Sequence, residues 1–322
     1  MRLPISRRHI PLLATAAVCA LLYTAAALRH RDFFALQVFI DLFGDNSFLG
    51  IVAVGMTFVI LSGGIDLSVG SVVALSSTLS AVLIQKGGLS PLLAIPIVLA
   101  VGMLIGLLMG CLIHYTGLPP FIVTLAGMFF ARGLAFIIRL ESLSIRDLLH
   151  RAIAECALDL GTAQVPITAF IFIAVVVIGA YGASWTVFGR NVYALGGNEE
   201  AAMLMGVPIA RTKLLVYTLS GLCSALAGVV YTLYGSSGDP RAAIGMELDA
   251  IAAVVIGGTL LTGGVGYVFG TLLGVLISGI IQTGITFENL NSWWTKVAIG
   301  VLLLFFILLQ KLLARSALRE RA

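Results

Sequence analysis

The most constraining feature of this chain is a series of ten apolar segments, each close to the length that crosses a bilayer. A membrane-spanning helix needs about 20 mainly apolar residues. The segments lie near residues 9–28, 46–63, 67–85, 91–115, 121–139, 165–184, 212–234, 247–262, 265–283 and 295–312. Breaks are expected at Gly63-Gly64, Gly87-Gly88, Gly117 to Pro120, Gly263-Gly264 and Gly284. The pattern predicts an all-α integral membrane fold of about ten transmembrane helices, forming one domain over residues 1–322.

Composition excludes the other broad classes. Of the 322 residues, 60% are hydrophobic and 11% are charged, whereas a soluble domain carries about 25% charged residues. The chain is therefore neither a water-soluble globule nor disordered. Its four cysteines are far apart and form no Cys-x-x-Cys pair, so we interpret them as small hydrophobic residues rather than disulfides or metal ligands.

The basic residues predict the orientation in the membrane. Residues 1–10 hold three arginines and no acid, and residues 311–322 hold four basic residues against one acid. Cytoplasmic segments carry an excess of Lys and Arg, so both termini are expected in the cytoplasm. The polar loop 185–211 then faces the cytoplasm, and the polar loop 140–164 faces outward.

The first apolar segment has two interpretations. Arginines precede it and three alanines (25–27) end it, which is also the pattern of a cleaved signal peptide. Residues 9–28 are long for a signal core and more membrane segments follow them. We therefore expect a retained first helix.

Two parts of the chain are similar to each other in sequence. Residues 51–71 and 251–271 share seven of 21 positions at an offset of 200, including both Gly-Gly joints. Repeated halves are common in transporters, whose substrate path lies between the repeats. Because Gly, Ala, Ile and Val are abundant here, chance similarity is the alternative. Each joint is either a tight turn or an unwound stretch covered by protein.

No catalytic or cofactor-binding set is visible. The four histidines lie in separate segments, without a metal-ligand spacing to Cys or carboxylates. No lysine follows a glycine, so a phosphate-binding loop ending in Gly-Lys-Ser/Thr is missing. The net charge of +4 comes mainly from tails and loops. We expect no catalytic residue, metal or cofactor in this chain and no nucleic-acid partner.

Few ionisable groups lie at membrane depth, where such groups usually mark function. Asp66 lies at a helix joint, and Arg132 lies in mid-segment. Asp66 has two compatible roles, as a cap that accepts backbone N–H groups and as a residue lining a substrate path. Arg132 is expected to bind a backbone carbonyl or an acidic side chain.

The cytoplasmic loop contains a predicted short helix. Asn198 is a good N-cap, two glutamates follow in the first turn, and Gly206 and Pro208 end the helix. A helix of about two turns is marginal alone in water. Exposed alanine and methionine side chains would suit the groove of a partner protein. The alternative is an interfacial helix that lies on the membrane.

Four ordered motifs together resemble one family. They are LSGGIDLSVGSVVAL (61–75), PPFIVTLAGMFFARGLA (119–135), GGNEEAAMLMGVP (196–208) and ELDAIAAVVIGGTLLTGGVG (247–266). They are similar to the ribose/galactose-type permeases of bacterial ABC sugar importers, and the resemblance covers nearly the whole chain. AVGMTFVILSGGIDLSVGS, TLAGMFFARG and NSWWTKVAIG look like one permease of the galactofuranose importer.

The resemblance implies a multi-pass permease of the bacterial inner membrane. It implies import of a monosaccharide, galactofuranose or a related pentose or hexose, from periplasm to cytoplasm. The implied partners are ATP-binding subunits that hold ATP and Mg, a second, non-identical permease subunit and a periplasmic sugar-binding protein. The family's coupling helix, which docks on the ATPase, matches residues 196–208, with motif positions at Gly197, Asn198, Ala201, Ala202 and Gly206.

Residues of the sugar path are expected among polar and aromatic side chains. The candidates are Asn46, Ser62, Asp66, Ser68, Phe121 and Thr124. Two other functions stay open: an ATP-independent secondary transporter or channel, which would need buried carboxylates, and an integral membrane enzyme, which would need clustered His, Asp or Cys. Asp66→Ala is expected to abolish uptake, and Ala202→Glu to uncouple transport from ATP hydrolysis.

Overall fold

A computed structural model describes residues 10–319 of the chain, most of them helical. In chain order the helices are α1 (Ile10–Arg29), α2 (Leu36–Asp45), α3 (Ser47–Leu61), α4 (Val69–Ala81, continued by a π-helical turn, Val82–Lys86), α5 (Pro91–Thr116), α6 (Pro120–Ile138), α7 (Leu148–Ala154), α8 (Ile167–Trp185), α9 (Val187–Gly197), α10 (Glu199–Leu204), α11 (Ile209–Gly235), α12 (Met246–Ile256), α13 (Val268–Phe287) and α14 (Trp293–Arg319). A 3₁₀ turn, Arg31–Phe34, precedes α2.

Within the described residues, seven helices are long and apolar enough to cross a membrane. The pair α2 and α3, bent by 55° at Asn46, gives an eighth span if it is counted as one. A shorter apolar helix, the stretch Trp293–Leu309 of α14, is also present, and the 11-residue α12 is too short to span a bilayer alone, so the count is roughly compatible with the predicted ten. The all-α multi-pass membrane fold is therefore confirmed. Parts of both basic tails lie outside the described residues, so the cytoplasmic placement of the termini stays a prediction.

Two local predictions were wrong, and one helix was missed. The segment 247–262 is not one helix: α12 ends at Ile256, where Gly257 follows and Gly258 has a φ of +93°. Gly284 does not interrupt α13, because a glycine in a packed helix costs only about 1 kcal/mol relative to alanine. Helix α2 was not predicted, since its Gln and Asp side chains interrupt the apolar run.

Two short antiparallel strand pairs organise the loop 140–164 and the segment after α11. β1 (Leu143–Ser144) pairs with β4 (Ser237–Gly238), and β2 (Ala157–Asp159) pairs with β3 (Gln164–Pro166). The first pair joins the loop 140–164 to the segment that follows α11. The loop 140–164 is thus anchored to the helix bundle.

The core centres on α3, α4 and α11. Only Phe48 and Leu49 of α3 are not buried, so this helix is surrounded by protein. Helix α5 approaches α11 through Gly102, Gly106 and Gly110. A Cβ on Gly106 would lie 2.2 Å from the carbonyl oxygen of Tyr217, which is part of α11. Small residues allow such close backbone packing between membrane helices.

Arg132 binds backbone carbonyl groups of the segment after α11, as predicted. Its Nη1 donates to the carbonyl oxygens of Pro240 at 2.8 Å and Ala242 at 2.7 Å. Nearby, Lys296 Nζ of α14 donates to Asp249 Oδ1 of α12 at 2.6 Å. These contacts satisfy charged groups that would be costly to leave unpaired in an apolar region.

Candidate translocation and coupling site

The two similar segments of the sequence fold into the same helix–break–helix unit. In the first unit α3 is followed by the irregular residues 62–68 and then α4, and in the second α12 is followed by residues 257–267 and then α13. The first glycines of the two joints have nearly equal φ angles, +82° at Gly63 and +85° at Gly263, whereas of the second glycines only Gly264 has a positive φ, +73°. Both joints lie outside regular helix, and Gly63, Gly263 and Gly264 adopt a backbone conformation that other residues rarely accept.

The two joints touch each other. The backbone N–H of Gly264 donates to the carbonyl oxygen of Leu61 at 2.9 Å. A Cβ on Gly263 would lie 2.9 Å from the backbone nitrogen of Gly63. Within the adjoining helices, Thr57 Oγ1 of α3 and Thr271 Oγ1 of α13 are 2.7 Å apart. The repeat seen in the sequence is thus a physical pairing of the two broken helices.

The end of α9 lies on this pairing. A Cβ on Gly196 would come within 1.8 Å of the carbonyl oxygen of Leu61 and 2.7 Å of the Gly264 nitrogen. The hydroxyl of Tyr193, one turn earlier, donates to the carbonyl oxygen of Gly266 at 2.8 Å. Sequence analysis did not single out Gly196 or Tyr193 for a role, because a glycine in a loop and a tyrosine in a polar segment carry no signal of a long-range contact.

Asp66 is the centre of a buried polar cluster at the first joint. Its Oδ1 accepts from the backbone N–H of Ser68 at 2.9 Å and from Ser68 Oγ at 2.6 Å. Its Oδ2 accepts from Ser220 Oγ of α11 at 2.7 Å. Thr124 Oγ1 of α6 is 3.3 Å from the carbonyl oxygen of Ile65. Asp66 therefore accepts a backbone N–H as predicted, but the donor is Ser68, which itself occupies the N-cap position of α4, so Asp66 closes the turn before the helix and does not cap it.

Three of the predicted path residues meet in this cluster. Asp66, Ser68 and Thr124 are all buried. None of the three lines an open passage in this conformation, so a role in the path stays a prediction. Ser220, which completes the cluster, was missed because one serine in an apolar helix carries no signal of its own.

Ser62 lines a separate polar cavity of about 410 Å³ beneath α10. Its hydroxyl donates to the carbonyl oxygen of Val59 at 2.7 Å. The cavity wall includes both glycines of the first joint, Glu199, Lys213 and Tyr217. The first joint and the loop 185–211 therefore line one polar cavity.

The two remaining path candidates lie elsewhere. Asn46 occupies the bend between α2 and α3, donates to the carbonyl oxygen of Leu42 at 2.9 Å and packs against Gly279. Phe121 is 52% exposed at the start of α6. The six candidates thus divide into the cluster, the cavity and two isolated positions.

The predicted cytoplasmic helix is present as α10. The side chain of Asn198 caps it by accepting from the backbone N–H of Ala201 at 2.8 Å. Gly206, with a φ of +79°, terminates the turn after the helix. An ion pair of 2.6 Å between Glu199 Oε1 and Lys213 Nζ ties the first turn of α10 to α11.

One side of α10 packs on its own chain. Ala202 is fully buried and packs in a cluster with Leu195 of α9 and Ile209 of α11. The expectation that Ala202 faces a partner protein was therefore wrong, because the residue before it on the helix, not Ala202 itself, points outward. Ala202 instead fixes α10 to the bundle.

The opposite side of α10 forms an exposed apolar patch, here called the docking patch. Its members are exposed and lie in a loop that is otherwise polar: Ala201, Met203, Leu204 and Met205. Leu204 is the most exposed of them, at 86%. Gly197, which precedes α10, is exposed too, with open space at the position that a Cβ would occupy. Such a patch at the edge of a protein marks an interaction surface.

Ala202→Glu is expected to lift α10 off the bundle. A buried position without room for four more heavy atoms and a charge would lose packing worth about 1–3 kcal/mol. Limited proteolysis of the detergent-purified chain would report faster cleavage within residues 198–208. Ala201→Glu, at the neighbouring exposed position, serves as the control and should leave the cleavage rate unchanged. Equal cleavage of both variants would contradict the packing described for Ala202.

Comparison with known proteins identifies the family to which the sequence is similar. A family model described as "Branched-chain amino acid transport system / permease component" matches residues 38–307. The inner membrane ABC transporter permease protein YjfF of Escherichia coli K12 is 48% identical over 307 residues, covering 95% of this chain and 93% of that protein. No solved structure gives a significant match.

Two further relatives are similar over nearly their full lengths. The fructose import permease protein FruG of Bifidobacterium longum is 37% identical, covering 95% of this chain and 92% of that protein. The ribose import permease protein RbsC of Haemophilus influenzae is 36% identical, covering 92% of each. The family match and the apolar helices lead to one conclusion: the chain belongs to this family of transport permeases, of the ribose/galactose type expected from its motifs, and is a multi-pass protein of the inner membrane.

Proposed function

We propose that the chain is a permease subunit of an ATP-driven importer that carries a monosaccharide from periplasm to cytoplasm. The observation that carries the proposal is the docking patch. Three large apolar side chains are exposed on a capped helix of a polar loop, where a partner's groove would cover them. ATP would be bound and hydrolysed by that partner, an ATP-binding subunit that also holds the Mg.

A sugar is the favoured substrate class. The family description names branched-chain amino acids, whereas the relatives FruG and RbsC are named for fructose and ribose. The motifs favour galactofuranose or a related pentose or hexose. A polar cluster of hydroxyls and one carboxyl, at Asp66, Ser68, Thr124 and Ser220, also suits a path for a neutral, hydroxyl-rich molecule.

In the proposed mechanism, the ATPase subunits and the permease helix bundles move as rigid bodies. Two ATPase subunits approach each other when ATP binds and carry the α10 helices of two permease subunits with them. The bundles then exchange between inward-open and outward-open states. A ligand shifts such an equilibrium only by its differential affinity for the two states. Sugar specificity therefore belongs mainly to a periplasmic binding protein, with weak and transient binding in the permease.

Co-purification tests this proposal. The tagged chain is expressed in its native host, extracted in mild detergent, and its partners are identified by mass spectrometry. We expect an ATP-binding subunit and a second, non-identical permease subunit. Recovery of the chain alone, stable and monodisperse, would overturn the proposal and favour an ATP-independent transporter, with α10 as a helix lying on the membrane.

A further inference from the structure

We infer that Gly196 and Tyr193, at the end of α9, form a relay that passes the movement of the docking helix to both broken membrane helices at once. The inference rests on the proposed function, because it assumes that an ATPase moves α10. It assigns these two residues a positioning role in transport. The relay is defined here as Tyr193, Gly196 and the backbone atoms that they contact in the two joints.

The first step of the relay joins α10 to α9. Only Asn198 separates the two helices, and its backbone N–H donates to the carbonyl oxygen of Ala194 at 3.2 Å. Leu195 of α9 packs in one cluster with the buried Ala202 of α10. A displacement of α10 therefore displaces the end of α9, since both the backbone and the side chains connect them.

The second step joins α9 to the two joints. At Gly196, backbone is packed directly against backbone, because even a methyl group would overlap the carbonyl oxygen of Leu61 at 1.8 Å. The same position is 2.7 Å from the Gly264 nitrogen, which donates to that carbonyl. Gly196 thus sits over the hydrogen bond that pairs the repeats. Close-packed interiors compress little and transmit displacement.

The third step connects α9 to the second joint through a hydrogen bond. Tyr193 donates to the carbonyl oxygen of Gly266, which lies just before α13 begins. A Cβ on Gly266 would meet the side chain of Thr259 at 2.4 Å, so this stretch is itself tightly packed against the residues after α12. Pushing or pulling on Tyr193 would therefore move the second joint as a unit.

The unwound joints are the parts best able to respond. Residues 62–68 and 257–267 lack the continuous hydrogen-bond ladder of a helix. Asp66 lies within the first of them and accepts a hydrogen bond of 2.9 Å from the backbone N–H of Ser68, the residue before α4. Motion of α9 would therefore reach the proposed sugar path through both joints. An energetic coupling needs such an element, with an equilibrium that both sites bias.

The test uses two relay variants and two matched controls in the complete transporter. Gly196→Ala adds the methyl group that overlaps Leu61, and Tyr193→Phe removes only the hydroxyl. Gly284→Ala, which has open space on α13, and Tyr181→Phe, an exposed tyrosine of α8, are the controls. Each variant is assayed for ATPase co-purification, for ATP hydrolysis in proteoliposomes, and for uptake of ¹⁴C-labelled galactose, fructose and ribose.

We expect both relay variants to retain the ATPase and to hydrolyse ATP while importing less sugar. The expected loss of uptake per ATP is at least about tenfold for Gly196→Ala and about threefold to tenfold for Tyr193→Phe, the range that follows from losing one hydrogen bond. The controls should match the wild type. If Gly196→Ala does not assemble, Tyr193→Phe decides the question.

The relay is overturned if Tyr193→Phe keeps the wild-type ratio of uptake to ATP hydrolysis. It is also overturned if Tyr193→Phe loses the ATPase, since the residue would then act in docking and not in transmission. Failure of the wild-type chain to bring down any ATPase would instead refute the proposed function. The two failures are therefore distinguished by the wild-type sample alone.

Discussion

Replacing Asp66 with alanine is expected to abolish sugar uptake while the chain still reaches the membrane and assembles with its partners. The carboxyl group accepts three hydrogen bonds inside the protein, and it connects the first joint to α11 through Ser220. Hydrogen bonds that involve a charged group contribute about 1.5–3 kcal/mol each, and a buried donor left without a partner costs a similar amount. The joint would lose its fixed geometry, and we expect uptake to fall at least about tenfold.

The variant Asp66→Asn tests whether transport needs the hydrogen bonds of Asp66 or its negative charge. The amide keeps one oxygen to accept from Ser68, and its NH₂ group can donate to the Ser220 hydroxyl, which then acts as acceptor. We expect this variant to retain more uptake than Asp66→Ala. Ser224→Ala is the control, because Ser224 is buried on the same helix but donates only to the backbone carbonyl of Ser220. Normal uptake by Asp66→Ala would show that the carboxyl is dispensable.

The second large effect is expected at the docking patch. Leu204→Glu should reduce recovery of the ATP-binding subunit at least about tenfold, since burying a leucine contributes about 1.5–3 kcal/mol and burying a lone carboxylate is unfavourable. Leu204 is 86% exposed, so the substitution leaves the chain's own packing intact. Quantitative mass spectrometry of the purified complex measures the ratio of the ATPase to the permease.

The matched control for this experiment is Leu148→Glu. Leu148 is 82% exposed, and it belongs to α7 in the loop on the opposite, outer side of the predicted topology. Its substitution should leave the ATPase in place. Unchanged ATPase recovery with Leu204→Glu would show that the docking patch rests on lipid headgroups and not on a protein groove.

Sequence patterns predicted the features that depend on local chemistry. Asn198 and Gly206 defined the ends of α10 because capping and left-handed turns need particular residues. The partner of Arg132 was predicted by type, since a buried guanidinium must find oxygen atoms. The paired Gly-Gly sequences indicated a repeat before any contact between them was known.

Features that depend on distant parts of the chain were not accessible in this way. Nothing near Ala202 indicates that it faces Leu195, because both sides of α10 carry apolar side chains. The early end of α12 reflects close packing at Gly257, where a Cβ would lie 2.4 Å from the Gly270 carbonyl oxygen. Apolar composition continues through this break, so the hydrophobic pattern alone predicted a longer helix.

The short length of α12 has a consequence for how the protein is made. Its 11 residues rise about 16 Å, roughly half of a hydrocarbon core, so the insertion machinery cannot treat it as an independent span. It must enter the bilayer together with α13 as one hairpin. Leu61 and Gly196 are synthesised much earlier than Gly264, so their contacts with Gly264 cannot form until that residue has been synthesised. The central contact of the protein therefore closes late in biogenesis, after most of the chain has already left the ribosome.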